Sequence, residues 1–181
     1  VIAHATLLWS RYGGAFSSAE WLPVAEEMLA EGLELVGEDE MSFEAGALLV
    51  GRASLPFWRG RTREQLDLRD AERAIEIAEA VGSAYLLSYA VDNLAMLGGT
   101  AGFCRSGDLA EEALRAGREM TGRVESHETL VSAAVLFARA CRFAEAGEAA
   151  DEALRQAASL GTHHRIHAGS AVAQSLAPQG E

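Results

Sequence analysis

The chain has 181 residues, 49% of them hydrophobic, and a formal net charge of −12. That length allows one domain or a piece of an extended array, and the apolar content supports a packed core, not a disordered chain. A field of that sign repels phosphate backbones and anionic lipid, so direct nucleic-acid or membrane-surface binding is not expected.

All 15 basic residues are Arg. Without Lys there can be no Walker-A lysine, no kinase strand lysine and no pyridoxal Schiff base. Arg stays charged and cannot act as a neutral amine in their place. The 2 cysteines, Cys104 and Cys141, lie outside any CxxC pattern and frame no disulfide scaffold; each is expected to be a small buried hydrophobe. No apolar run is long enough to span a bilayer. The opening Val1-Ile2-Ala3-His4 lacks a basic n-region and an initiator Met, so it reads as an excised piece and not as a signal peptide. The expected location is cytoplasmic.

Ala and Leu outweigh β-branched residues, and Pro is scarce, so the expected fold is all-α. In chain order, helices are predicted at 1–12, 18–36, 41–55, 64–81, 84–98, 103–120, 127–141, 144–160 and 163–176. The segment Leu55-Pro56-Phe57-Trp58-Arg59-Gly60-Arg61 is expected to interrupt helix as a longer loop.

These helices repeat. Glu72–Gly82, Glu111–Thr121 and Asp151–Gly161 align, with Ala74, Ala113 and Ala153 superposed at offsets of 39 and 40. Ile75, Leu114 and Leu154 coincide as well. Acids come early in each copy, where they suit a helix N-terminus, and apolar residues recur on one stripe. Gly37, Gly82 and Gly161 follow helix ends, where a positive φ is expected. Between copies, Tyr85 to Leu97 and Leu130 to Ala140 are apolar almost all round, as a helix sandwiched between neighbours should be. The units read as a weak repeat over 1–40, clearer repeats over 41–82, 83–122 and 123–161, and a partial repeat over 162–181. Ala113 and Ala153 are expected at tight helix contacts. The terminal helices look uncapped, which predicts apolar outer surfaces and self-association through the ends.

The third unit resembles the tetratricopeptide family. Arg142-Phe143-Ala144-Glu145-Ala146, with Ala153-Leu154 seven residues beyond Ala146, is similar to that motif's second helix, and Phe137 to the aromatic of its first. Asn93-Leu94-Ala95 with Gly102 resembles the family's Asn-Leu-Gly and turn Gly. The sequence departs from the motif at Leu130, where Trp is usual. The period near 40 is similar to the arrays of bacterial LuxR-type and antibiotic-regulator-type signalling ATPases and ATPase-linked nucleotide cyclases. The resemblance covers about residues 64–176. It implies an α-solenoid of antiparallel helix pairs, a non-catalytic scaffold that binds a protein or peptide partner or further repeats of a parent chain, in signal transduction or transcription regulation. The other readings are a small-molecule inducer sensor and, third, an enzyme with a helical-bundle site.

The same resemblance places the first helix of each unit on a concave face. Tyr85, Tyr89, Asp92 and Met96, spaced by 3 or 4, would share one face there, with Glu128, Val131, Val135 and Arg139 in the next unit. Arg59, Arg61 and Arg63, around Trp58, could contact an anion, or could neutralise Asp67, Asp70 and Glu72. His163 and His167 stand at i, i+4, a spacing that can hold a metal, but no Cys or carboxylate lies at a motif spacing from them, and no cofactor is expected. Acid pairs such as Glu111-Glu112 are expected to solvate exposed faces, because helix neighbours do not face each other.

Overall fold

A computed structural model describes residues 21–37, 40–58, 68–97, 100–120 and 123–176, and every regular element in it is an α-helix. The chain divides into two compact units, Val1–Gly99 and Thr100–Glu181. The first contains α1 (Trp21–Val36), α2 (Phe43–Trp58), α3 (Arg69–Val81) and α4 (Ala84–Met96). The second contains α5 (Thr100–Glu119), α6 (Arg123–Arg139), α7 (Phe143–Ala157) and α8 (Thr162–Leu176). Eight of the nine predicted helices are thus present. The ninth, at 1–12, lies outside the described residues.

Within each unit every helix packs on the next, and a second set of contacts joins α2 to α4 and α6 to α8. Connectors as short as Gly82-Ser83 make consecutive helices double back on each other. Two kinds of helix result. α3 and α7 are amphipathic and bury one stripe, Ala71, Ala74, Ile75, Ile77 and Ala78 on α3 and Ala146, Ala149, Ala150, Ala153 and Ala157 on α7. α4 and α6 are enclosed: Tyr85 to Val91 and Ser126 to Phe137 are buried without interruption. The apolar-all-round pattern read in the sequence is this enclosure.

Small residues set the helix spacing. The superposed Ala74, Ala113 and Ala153 are each at most 1% exposed, as expected for tight contacts. Gly46 on α2 is tighter still, because a Cβ there would stand 2.6 Å from Leu86 Cδ2 and 3.2 Å from Ile77 Cγ2. At Gly117 on α5 it would stand 3.1 Å from Leu130.

The turns follow the expected chemistry, with one correction. Gly37, Gly82 and Gly161 have φ of 94°, 66° and 111°. At Gly82 the chain closes with Ser83 N–H donating to Ala78 O and Gly82 N–H to Glu79 O, the double bond of a Schellman turn. The α6–α7 turn makes the same pair, Arg142 N–H to Phe137 O and Cys141 N–H to Ala138 O, but here the residue with positive φ, 59°, is Cys141. The expectation that Cys141 is buried is therefore overturned: it sits exposed on a turn that needs a left-handed backbone. The side chain of Cys104 is outside the described residues.

A second correction concerns α2, which runs through Pro56 to Trp58 instead of stopping at Leu55. Proline so near a helix C-terminus removes only one donor, and the last turn continues past it. On α8, Ile166 is 68% exposed, whereas Ala168 and Ala171 are buried. Among the described residues no helix is long and apolar enough to cross a membrane.

Three substitutions test the packing and the turn. Gly46→Ala should lower the melting temperature, since overpacking of about 1–3 kcal/mol outweighs a helix-propensity gain of about 1 kcal/mol. Gly169→Ala, where an added Cβ meets nothing within 4 Å, should raise it through propensity alone, by up to about 1 kcal/mol. Cys141→Gly should stabilise by about 1 kcal/mol by relieving the left-handed backbone. Thermal and urea unfolding read all three.

Candidate functional site

The first turns of α6 are unusual for an enclosed helix. Ser126, His127, Glu128 and Thr129 follow one another, and all four are buried, the last three at 0% exposure. Polar groups this deep must be satisfied by their neighbours. Ser126 Oγ donates to Gly117 O at 2.6 Å, and the carbonyl is reachable because residue 117 has no side chain. Gln156 Nε2 donates to the same hydroxyl at 3.1 Å. Thr129 Oγ1 lies 3.5 Å from Met120 Sδ.

His127 and Glu128 face histidines of α8. Glu128 Oε1 lies 3.3 Å from His164 Nδ1 and 3.7 Å from His127 Nε2, and Glu128 Oε2 lies 3.5 Å from His167 Nδ1. The His127 ring meets the His164 ring edge-on at 5.0 Å and the His167 ring at 6.5 Å. His127 Nδ1 stands 3.1 Å from Ala153 O. A carbonyl only accepts, so Nδ1 carries the proton and Nε2 presents its lone pair. Burial pushes the His127 pKa down to about 4, against the opposing pull of Glu128 and the Ala153 bond. Three helices thus position one cluster: α6 supplies an imidazole and a carboxylate, α8 two imidazoles, and α7 a backbone carbonyl. Ring nitrogens of His127 and His164 and an oxygen of Glu128 lie within 4.8 Å of one another, close enough for one metal ion to reach all three.

Unit two also carries an open groove of about 410 Å³ between α5 and the α6–α7 turn. Leu114 and Phe137 form its apolar floor, and Arg115, Arg118, Arg142 and Glu145 are among its walls. Arg142 is fixed over the Phe137 ring, 4.8 Å from its centroid, and bonds Glu111 at 2.6 Å and Glu145 at 2.9 Å. These two carboxylates raise its pKa, Glu111 first. Glu145 is held below the usual carboxylate range, first by a backbone N–H at the start of α7 and then by Arg142. Arg118 reaches across to Glu152 at 2.7 Å. A smaller groove of about 340 Å³ lies in unit one, between Leu33, Glu34, Arg52 and Pro56.

The sequence-derived site residues are dispersed. Tyr85 and Tyr89 are 7% and 4% exposed, and Tyr85 stacks on Phe43 with ring centroids 6.3 Å apart. Val131 and Val135 are buried in α6. Asp92 and Arg139 are half-buried, and the Met96 side chain is outside the described residues. Tyr85, Tyr89 and Asp92 belong to unit one, and Glu128, Val131, Val135 and Arg139 to unit two. Glu128 alone of these joins a described cluster of chemically active groups. Arg59, Arg61 and Arg63 lie outside the described residues. Nearby, Arg52 holds Asp70 through two bonds of 2.6 and 2.9 Å, the neutralising role weighed above for the arginines after it.

The joining of α6 to α8 does not show in local spacing, where His163 and His167 pair at i, i+4 with no carboxylate at a motif spacing. The usable signal is the repeat itself: His167 follows His127 by 40 residues, one period, so the two occupy matching places on the first helices of successive units.

The depressed pKa of His127 sets a pH dependence. The unfolded chain takes up this proton near 6.5 and the folded chain near 4. The contribution of neutral His127 is therefore complete above 6.5 and is lost as pH falls towards 4. Urea unfolding in EDTA should show stability falling across that window, and His127→Asn, which keeps an N–H for Ala153 O, should flatten the fall. An unchanged profile in the variant would assign the dependence to other groups.

No family model matches this chain, and no curated protein or solved structure matches it.

Proposed function

We propose that the chain is a non-catalytic helical-repeat module that binds a protein or peptide partner, as a regulatory part of a larger cytoplasmic signalling protein. The observation that carries this reading is the groove of unit two. Its apolar floor of Leu114 and Phe137 lies between arginines and glutamates already held in place by their mutual bonds. Preorganised walls reduce the ordering cost of binding, and an apolar floor offers an anchor pocket for one or two side chains. The fitting partner is a short segment with an aliphatic or aromatic anchor flanked by mixed charges.

Peptide display against the whole chain tests this. Selected peptides should carry an apolar anchor, and Leu114→Glu should weaken their binding at least tenfold while circular dichroism stays unchanged. Ala30→Glu, in the groove of unit one, should leave binding as it was. Peptides indifferent to Leu114→Glu, or a selection that yields none, would sink the groove as the partner site.

A further inference from the structure

Partner binding makes no use of the cluster enclosed between α6 and α8. Its geometry resembles a coordination sphere. Donor atoms around a four-coordinate first-row ion, with bonds of about 2.0–2.1 Å, stand about 3.4 Å apart along the edges of the tetrahedron. Glu128 Oε1 stands 3.3 Å from His164 Nδ1 and 3.7 Å from His127 Nε2, and these three residues hold their donor atoms within 4.8 Å of one another. His167 Nδ1 faces the other carboxylate oxygen, Oε2, at 3.5 Å, so it becomes a fourth donor only when its ring turns toward the common centre.

The wiring of His127 points the same way. Its Nδ1 proton is committed to Ala153 O, the outer bond that metal-bound imidazoles characteristically make. Its Nε2 is buried and has no hydrogen-bond partner among the described residues. That lone pair and Glu128 Oε1 face each other at 3.7 Å, two electron-pair donors that one cation between them can bond at once. A proton can bridge one such pair. One cation at the centre serves all the contacts at once. His164 and His167 keep 17% and 20% of their side chains exposed, which gives an ion a route in from the α8 side.

We propose that His127, Glu128, His164 and His167 form a binding site for a divalent late first-row transition ion, zinc foremost, that fastens α8 to α6. Imidazole nitrogens with a single carboxylate suit zinc, cobalt, nickel and copper, whereas calcium and magnesium require oxygen-rich shells. With His127, Glu128 and His164 as the three donors already gathered and His167 as the fourth, the site would be of the closed, structural kind.

The test uses the full chain without an affinity tag, stripped with EDTA and titrated first with cobalt(II), then with zinc(II). One equivalent of cobalt should bring up the visible bands of tetrahedral nitrogen–oxygen coordination, zinc should abolish them, and zinc should raise the melting temperature reversibly with EDTA. His164→Gln and His167→Gln should each weaken binding at least tenfold, and Glu128→Gln should remove the bands. Should Glu128→Gln fail to fold, the two variants at the partly exposed histidines decide the matter. His163→Gln should change nothing. Loss of binding in His163→Gln would assign the metal to the i, i+4 pair of His163 and His167 and overturn the site. So would the absence of cobalt bands at one equivalent, or binding that appears only at millimolar metal.

Discussion

Alanine and glycine fix the distance between helices in this protein, and most of what the interior can hold follows from that distance. The buried stripe of α7 is alanine throughout; an added Cβ would force Leu86 to shift at Gly46 and would press on Leu130 at 3.1 Å at Gly117. Helices this close leave no space for long polar side chains to find water. A polar group placed in the seam must be met by a short side chain or by backbone. Asn93 Nδ2 meets Ser54 Oγ at 2.5 Å, Ser126 meets the Gly117 carbonyl, and His127 meets the Ala153 carbonyl. Each bond ties two helices of one unit and fixes their relative rotation, which apolar packing alone leaves looser.

Much of this was legible in the sequence because it depends on local rules. Residue size at Ala74, Ala113 and Ala153, the largely apolar character around Tyr85 to Val91, and glycine at 82 and 161 each report a local constraint on packing or backbone. The rest depended on which faces meet. The rule that helix neighbours do not face each other fails to exclude a joint site here, since His127 Nε2 and Glu128 Oε1 end 3.7 Å apart. α6 is enclosed, so both residues point into protein, and α8 brings its histidines to them. No local signal near 127 or near 164 states that. Cys141 eluded the reading for another reason: the turn imposes its backbone geometry through bonds to Phe137 and Ala138, against the preference of the residue that occupies it.

The row of Tyr85, Tyr89, Asp92 and Met96 shows how one pattern serves two ends. Amphipathic tips spaced along a helix face would suit a ligand wall if that face were open. On α4 the tyrosines are covered by protein, Tyr85 against Phe43. The spacing is informative about which residues share a face. Whether that face is open depends on how many helices surround it, and that number is a property of the assembled unit. In unit two a groove opens instead between α5 and the α6–α7 turn, where Leu114, Arg115 and Arg118 belong to α5 and Arg142 to the turn.

A seam made of alanine carries little sequence information. It requires smallness above all, so another small residue can replace alanine there at less cost than a large one. Successive units can therefore drift apart in sequence while their helices keep the same spacing. The positions that resist such drift are few: the left-handed turn residues and the polar groups locked inside the seam. Similarity between units should thin out along the helices and persist at these points, so the repeat is better recognised by the spacing of its constraints than by the identity of its residues.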